Sequence, residues 1–499
     1  MQFGRREIFT DALEIDAKNI ITVLKDAIAI HEANRTQIDF LLNYDAGYQP
    51  IEREKTYRSD IDCECVDNVA NEITEFNLGF KWAFPITLVQ RGNDKTKSEK
   101  ISLLNDFYET QNIKSKTQNL GRFIEICGVG YTFVDVAPKG HISPFVVESL
   151  DPRFAFVVRS SRRIDRKIML GVVYRQDSEG NRHFTCYTDK LRFEIRNIYE
   201  VENGEERKKE TWEEADRSGE RNPLGCVPIV EWIRSHDRMG CFERQISEMD
   251  NLNLLISDFT NDVEQNTQAI WHTNDIEFPT EKVKDKDGNE IEQVKRPQSN
   301  DWMQTFTTQD GKTPFIKPLS VDYDYTGMLN NILSRRSLIL QKCNVPQRND
   351  NSGGSTGIAM SDATGWSAAE SSANKQQNIT EDCKMQEVAI VLKAIALFAN
   401  GSELSALSVM DIKPSIKRQK NYELTTKVNF FATAVSHGIN GLHALNAMNA
   451  FEDVNKVWED SRELIEKYQS SIFDKQEEPK DRLDADYSDQ IKNSPNLNG

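Results

Sequence analysis

The stretch CFERQISEMDNLNLLISDFTNDVEQNTQAIWH, residues 241–272, decides how this chain folds. Within it Ile246, Met249, Leu252, Leu255, Ile256, Phe259, Val263 and Ile270 recur at steps of three and four, which puts apolar side chains on one face of a helix. As one continuous helix from Cys241 it spans about 45 Å at about 1.5 Å per residue, more than a single compact core covers. Glu243, Glu248, Asp250, Asp258, Asp262 and Glu264 occupy much of the remaining surface. Downstream, Glu281 to Arg296 straddles Asp287-Gly288, a two-residue turn signal between runs rich in Lys and Val, and predicts a projecting hairpin. Asp322 to Cys343 then repeats the amphipathic pattern through Met328, Leu329, Ile332, Leu333, Leu338 and Ile339, and Pro346 closes it. Two long helices therefore bracket a small polar insert.

Composition limits what such an arrangement can do. The 499 residues allow about three ordinary domains. A hydrophobic share of 38% with 28% charged residues suits a folded chain that leaves much surface to solvent or neighbours. Sixty-two basic against 79 acidic residues give a net charge of -17, which argues against a protein that wraps nucleic acid by neutralising phosphates. It is compatible with one that lets DNA slide past. The longest apolar run, Val388 to Phe398, contains Lys393 and falls short of the roughly 20 residues of a membrane span. The N-terminal residues lack the pattern of a secretion signal. The 8 cysteines are scattered, as in a chain made in a reducing cytoplasm, and Cys63-Glu64-Cys65, the one close pair, has no histidine or second pair nearby to complete a metal site.

The remaining segments predict a mainly helical α+β protein. Helices are expected over 11–42, over Asp60 to Phe80 through Ile61, Cys65, Val69, Ile73 and Phe76, over Ser102 to Tyr108 and over Thr117 to Cys127. Strands are expected at Ile86 to Val89, Tyr131 to Val136, Phe145 to Glu148, Phe154 to Val158, Leu170 to Arg175 and His183 to Thr188, with a turn at Asp177 to Asn181. Glu202 to Arg221, dense in Glu, Lys and Arg, reads as a solvated loop. After the second long helix come a polar loop at 347–362, a helix over Ala363 to Phe398, a strand-like or irregular Leu407 to Pro414, helices at Asn421 to Val435, Gly441 to Met448 and Val454 to Tyr468, and a charged tail at 476–499 that reads as disordered.

No catalytic constellation emerges. Gly353-Gly354-Ser355-Thr356-Gly357 has no Gly-Lys-Ser/Thr after it and no strand before it, so it is not a phosphate loop. Gly128-Val129-Gly130 precedes a strand, the wrong order for a dinucleotide fingerprint. The 7 histidines are dispersed. No cofactor, metal or catalytic residue is expected.

The order of segments resembles the portal proteins of long-tailed phages of Gram-positive hosts. The likeness rests on Asn43-Tyr44-Asp45-Ala46-Gly47-Tyr48-Gln49-Pro50-Ile51, on Asn77-Leu78-Gly79-Phe80 and Phe84-Pro85-Ile86, on Gly128-Val129-Gly130-Tyr131, Leu150-Asp151-Pro152 and Asn222 to Val230. Its most specific part is Asp250-Asn251-Leu252-Asn253, Ser257-Asp258 and Asn261-Asp262-Val263-Glu264, followed by Ser355-Thr356-Gly357-Ile358-Ala359-Met360. The resemblance implies a wing over 1–240, stem helices at 241–272 and 321–346, a clip at 273–320, a tunnel loop at 347–362, a long helix at 363–399 joining wing to crown, and a crown at 400–475. It implies a ring, dodecameric in that family, at one capsid vertex of the virion, assembled from chains made in the host cytoplasm. The implied partners are further copies of the chain, the large terminase subunit, head-completion or adaptor proteins, scaffold and major capsid protein, and double-stranded DNA held transiently and without sequence preference. The ring would serve genome packaging and later ejection, without ATP chemistry or contact with a membrane.

On that reading Glu243, Asp250 and Asp258 are candidates to line the channel, where like charge keeps the duplex weakly held over a Debye length of about 8 Å. Solvent exposure or pairing between subunits is an equal alternative for them. Arg348, Asn349, Ser352, Ser355 and Thr356 offer donors to passing DNA from the tunnel loop, though they suit any exposed turn, and Lys282, Lys284, Lys286, Lys295 and Arg296 form a basic patch for docking at the clip, with solubility an equal alternative. Two other readings stand beside it: a minor capsid or head structural protein, and a cytosolic nucleic-acid enzyme with an unrecognised site.

Overall fold

The computed structural model describes residues 4–53, 60–92, 94–162, 164, 166–201, 208–214, 218–267, 271–274, 280–284, 290–294, 314–318, 324–347, 365–398, 403–418, 424–448, 454, 457–458 and 460–467. They fall into two compact units, one holding the described residues up to Arg418 and the other those from Leu424 on. The fold is α+β. No helix among the described residues is long and apolar enough to cross a membrane.

The first unit opens with β1 (Ile8–Thr10), α1 (Ile20–Asp45) and α2 (Val69–Lys81). A further pair, α3 (Lys95–Glu109) and α4 (Ile113–Cys127), follows β2 (Thr87–Gln90). The largest sheet contains β5 (Ala155–Ser160), β6 (Ile168–Gln176), β7 (Arg182–Tyr187), β8 (Leu191–Val201), β9 (Lys208–Glu214) and β10 (Glu220–Arg221), with β1 added in parallel at the β5 edge. Alternation of buried and half-exposed residues along β7 explains why these segments form strands. The β6–β7 turn is closed by the Asp177 N–H donating to the Asn181 carbonyl at 3.0 Å, with Gly180 at φ 88°. A smaller sheet runs β11–β3–β4, from Ile229–Ile233, Val129–Val136 and Phe145–Leu150.

Two glycines are dictated by what lies against them. Gly128 ends α4 at φ 75°, and a Cβ there would sit 2.4 Å from the Arg238 carbonyl oxygen. At Gly121 the Trp82 ring takes the place of a side chain, 2.5 Å from where a Cβ would be. Around them lie separate cores. One gathers Ile20, Leu24, Phe156, Phe184 and Phe193 beneath the large sheet. A second gathers Leu41, Tyr44, Ile73, Phe242, Met249, Leu252, Ile332 and Ile339. The third packs Trp82, Leu104, Leu120, Phe145 and Trp232 against α7 (Trp366–Phe398).

Several expectations need correction. No helix spans 60–68: α2 starts at Val69, capped by the Asn68 side chain accepting the Asn71 N–H at 3.2 Å, because Asp62-Cys63-Glu64-Cys65-Val66-Asp67 alternates with period two. Residues 208–214, expected in a solvated loop, form β9, and Trp212 stacks on Phe184 at 5.5 Å. The local sequence pattern does not signal β1, β8 or β11. The first long helix is shorter than expected, a 3-10 turn at Glu243–Gln245 followed by α5 (Ile246–Thr267). The second is α6 (Tyr325–Lys342), capped by Asp324 accepting the Gly327 N–H at 2.9 Å.

Between these helices the described insert consists of two antiparallel ribbons. One pairs β12 (Trp271–Asn274) with β15 (Phe315–Pro318), and the other pairs β13 (Thr280–Lys284) with β14 (Glu290–Val294), matching the expected hairpin in register Thr280 to Val294. Its Asp287-Gly288 turn lies outside the described residues. Pro414 belongs to β16 (Ile412–Ser415), which pairs β2. The second unit holds α8 (Leu424–Ser436) and α9 (Gly441–Met448), with Val435, Ala444 and Leu445 buried. The described residues thus include most of the helices foreseen there, while the tail at 476–499 lies outside them.

Candidate functional site: the paired long helices

The helix pair is rooted in the second core. From α5, Ile246, Met249 and Leu252 are buried against Ile332, Ile339 and Leu340 of α6. Phe259 meets Tyr325 edge-on at 5.9 Å, and Arg335 lies 3.7 Å from Glu248, so the helices run antiparallel with 326–334 alongside about 249–258. Charge is divided between them. The helix α5 contains Glu248, Asp250, Asp258, Asp262 and Glu264 and no Lys or Arg, whereas α6 contains Arg335, Arg336 and Lys342 and no Asp or Glu.

One flank of α5 is covered by the extended segment 61–67, a strap with no strand partner among the described residues. Its backbone is read by side chains instead. Asn261 Oδ1 accepts the Cys63 N–H at 2.8 Å, Ser257 Oγ accepts the Cys65 N–H at 2.9 Å, and Asn253 Oδ1 accepts the Asp67 N–H at 2.9 Å. Donors return: Asn261 Nδ2 to the Cys63 carbonyl at 3.2 Å and Ser257 Oγ to the Cys65 carbonyl at 3.3 Å. The match is geometric, because four helical residues rise about 6 Å and two extended residues about 6.6 Å. Asn253 and Ser257 are fully buried, so each bond also satisfies a polar group cut off from water. Arg336 of α6 fastens the strap's end, reaching Asp67 at 2.9 Å and also Glu72.

Two of the stretches that carry the sequence resemblance, 43–51 and 250–264, meet here. Tyr44 is buried, and its hydroxyl donates to Asp250 Oδ1 at 2.8 Å; Gln49 takes the Asn253 amide at 2.6 Å and donates to Asn68 Oδ1 at 2.9 Å. Burial raises the pKa of the Tyr44 phenol and that of Asp250.

The proposed channel-lining acids separate. Glu243 is not a surface acid: it is only 4% exposed, ion-paired with Arg5, and its Oε2 accepts the Gly240 N–H at 2.8 Å. It therefore anchors the start of the helix and is removed from the channel set. Asp250 is half-buried and held by Tyr44. Asp258 is exposed, with one oxygen 2.8 Å from Arg53 Nη1. Asp262, half-exposed four residues on, joins it. Of the basic patch, Lys282 is exposed and 3.8 Å from Glu290 across the hairpin. The Lys284 side chain, Lys286, Lys295 and Arg296 lie outside the described residues, as do Arg348, Asn349, Ser352, Ser355 and Thr356. Cys63 and Cys65 both turn toward α5, their sulfurs 3.3 Å from Glu264 Oε2 and 3.6 Å from Thr260 Oγ1. No group of three or more His, Cys, Asp or Glu placed to hold a metal occurs among the described residues.

A buried hub ties the base of the pair to α7. Glu125 is fully buried and receives Trp82 Nε1 at 3.0 Å, Gln376 Nε2 at 2.7 Å and Arg234 Nε at 3.0 Å, with Lys81 at 3.5 Å. Burial alone would raise its pKa, but Lys81, Arg234 and these donors hold it down to about 2. Its backbone carbonyl accepts the Cys241 N–H at 2.7 Å, where the chain turns toward α5.

No curated protein matches the chain. A family model described as phage portal protein, SPP1 Gp6-like, matches residues 24–471, a span that takes in the strap, both long helices, the ribbons between them and α7. With that match over most of its length, the chain belongs to the SPP1 Gp6-like family of phage portal proteins, structural components of the virion.

Proposed function

We propose that the chain is one subunit of a ring whose copies of α5 and α6 surround a DNA channel at one capsid vertex, with the segment up to about residue 240 as wing, the ribbons at 273–320 as clip and the residues from 400 as crown. What carries the reading is the arrangement of two antiparallel amphipathic helices rooted in a shared core, with two antiparallel ribbons between them in the chain. Leu329, Leu333 and Val263 remain exposed on the pair, which suits contact with neighbouring copies. The surface acids Asp258 and Asp262 form a passive wall that repels the duplex, Asp250 contributes less, and the loop at 347–362 makes the transient contacts with DNA. The clip, through Lys282 and the neighbouring cations, docks the terminase motor during packaging and the head-completion proteins afterwards. DNA leaves by the same route. Packaging of DNA into proheads carrying Asp258→Lys with Asp262→Lys tests the wall: the rate falls and becomes strongly salt-dependent, and an unchanged rate and salt profile contradict it.

A further inference from the structure

The strap has a second edge. In an extended chain the N–H and C=O groups of successive residues point to opposite sides, so when Cys63, Cys65 and Asp67 face α5, the backbone groups of Asp62, Glu64 and Val66 face away. These residues are exposed, and among the described residues no hydrogen bond reaches their N–H or C=O groups. An edge of this kind is open to a further partner.

The chain also carries a counterpart to the row that reads the inner edge. On α6, Thr326, Asn330 and Ser334 stand at the same four-residue spacing as Asn253, Ser257 and Asn261, with side chains that likewise donate and accept. All three are exposed, and their side chains make no hydrogen bond among the described residues. Their own strap lies on α5, and α6 reaches it through Arg336 at Asp67 and not through this row. Resting on the ring reading above, we infer that the outer edge of Asp62–Val66 in one copy is read by Thr326, Asn330 and Ser334 of α6 in the next copy.

Three considerations select a second copy as the occupant. A closed ring joins two different surfaces of the same chain, one on each flank, and the strap edge and the α6 row are such a pair. Rotation about the ring axis preserves height, and the heights overlap: residues 326–334 lie alongside about 249–258, and the strap is bonded to α5 from Asn253 to Asn261. Polarity then runs Asp62 to Thr326, Glu64 to Asn330 and Val66 to Ser334. Charge is compatible as well, since α6 contains no Asp or Glu to repel the exposed acids Glu64 and Asp62, the latter also paired with Arg53 of its own chain. The strap is then held between two helices of adjacent subunits, each reading one edge.

A crosslink measures this. In a Cys63→Ser, Cys65→Ser background, Glu64→Cys with Asn330→Cys is assembled, oxidised with copper phenanthroline in air and run on a denaturing gel, after imaging establishes whether rings are present. The expected result is a ladder of covalent oligomers absent from either single cysteine variant. Rings without crosslinks above those controls overturn the inference and leave the ring reading intact; absence of rings from the unmodified chain overturns both. Glu64→Pro supplies a second arm, because it deletes only an outward N–H and suits extended backbone. It raises the concentration for half-assembly about tenfold with the subunit's melting temperature unchanged. Assembly at the parent concentration overturns the inference.

Discussion

Asn261 reads both polar backbone groups of Cys63, its Oδ1 accepting the N–H at 2.8 Å and its Nδ2 donating to the carbonyl at 3.2 Å. A side chain here does the work of a neighbouring strand. The strap can therefore be extended without belonging to a sheet, and α5 is fixed in height against it.

Removing a rung leaves buried backbone groups without partners. Asn261→Leu and Ser257→Ala each lower unfolding stability by about 1–3 kcal/mol in urea titrations. Asn251→Ala, on the exposed face of the same helix, has little effect. Equal losses from all three substitutions contradict the ladder.

Arg5 and Glu243 form a buried ion pair at the start of the helix, with side chains 1% and 3% exposed. Arg5→Met strands the carboxylate and costs about 3–5 kcal/mol. Adding Glu243→Gln removes the charge while keeping an acceptor for the Gly240 N–H, so the double variant recovers part of the loss. Thermal unfolding of the single and double variants measures this, and strict additivity contradicts it.

Glu125 compensates two buried cations, Lys81 and Arg234. Glu125→Leu leaves both without their anion and destabilises more than Glu125→Gln, which keeps an acceptor. The order of melting temperatures is parent, then Gln, then Leu. Reversal of the last two shows that the hub is held by packing and not by charge.

His31 is buried against Phe156 at 4.4 Å, and burial, opposed by its bond to the Arg153 carbonyl and assisted by Arg35 and Arg182, lowers its pKa to about 4. The folded chain therefore resists protonation that the unfolded chain accepts below about 6.5. Stability falls as pH drops from about 6.5 to about 4, by at most about 3 kcal/mol, and the contribution is constant outside that window. Denaturation across this range checks the slope. His31→Phe keeps the ring and flattens it; an unchanged slope contradicts the assignment. The Glu125 contribution is lost lower, as pH falls from 4.5 toward about 2.

The helix pair and the hairpin between them were legible because amphipathic periodicity and an Asp-Gly turn are local signals. The strap was not. Ile61 and Cys65 sit four apart and mimic a helix face, while the alternation from Asp62 to Asp67 acquires meaning only when Asn253, Ser257 and Asn261, nearly two hundred residues away, supply its hydrogen bonds. The acid at 243 looked like its neighbours on a helical wheel, and its burial depends on Arg5 arriving from the other end of the chain. In β9 the charges of Lys208 to Glu214 concealed a strand held by the long partner β8 and by one tryptophan. In each case long-range pairing overrode a local pattern.

The central claim is that copies of this chain enclose a DNA channel. Cryo-electron microscopy of the purified full-length chain tests it most directly. Closed rings are expected, with a central hole wide enough for duplex DNA, α5 and α6 around it and Asp258 nearer the hole than Glu243. A compact monomer, a closed dimer without a hole, or a ring whose lumen is formed by other elements contradicts it.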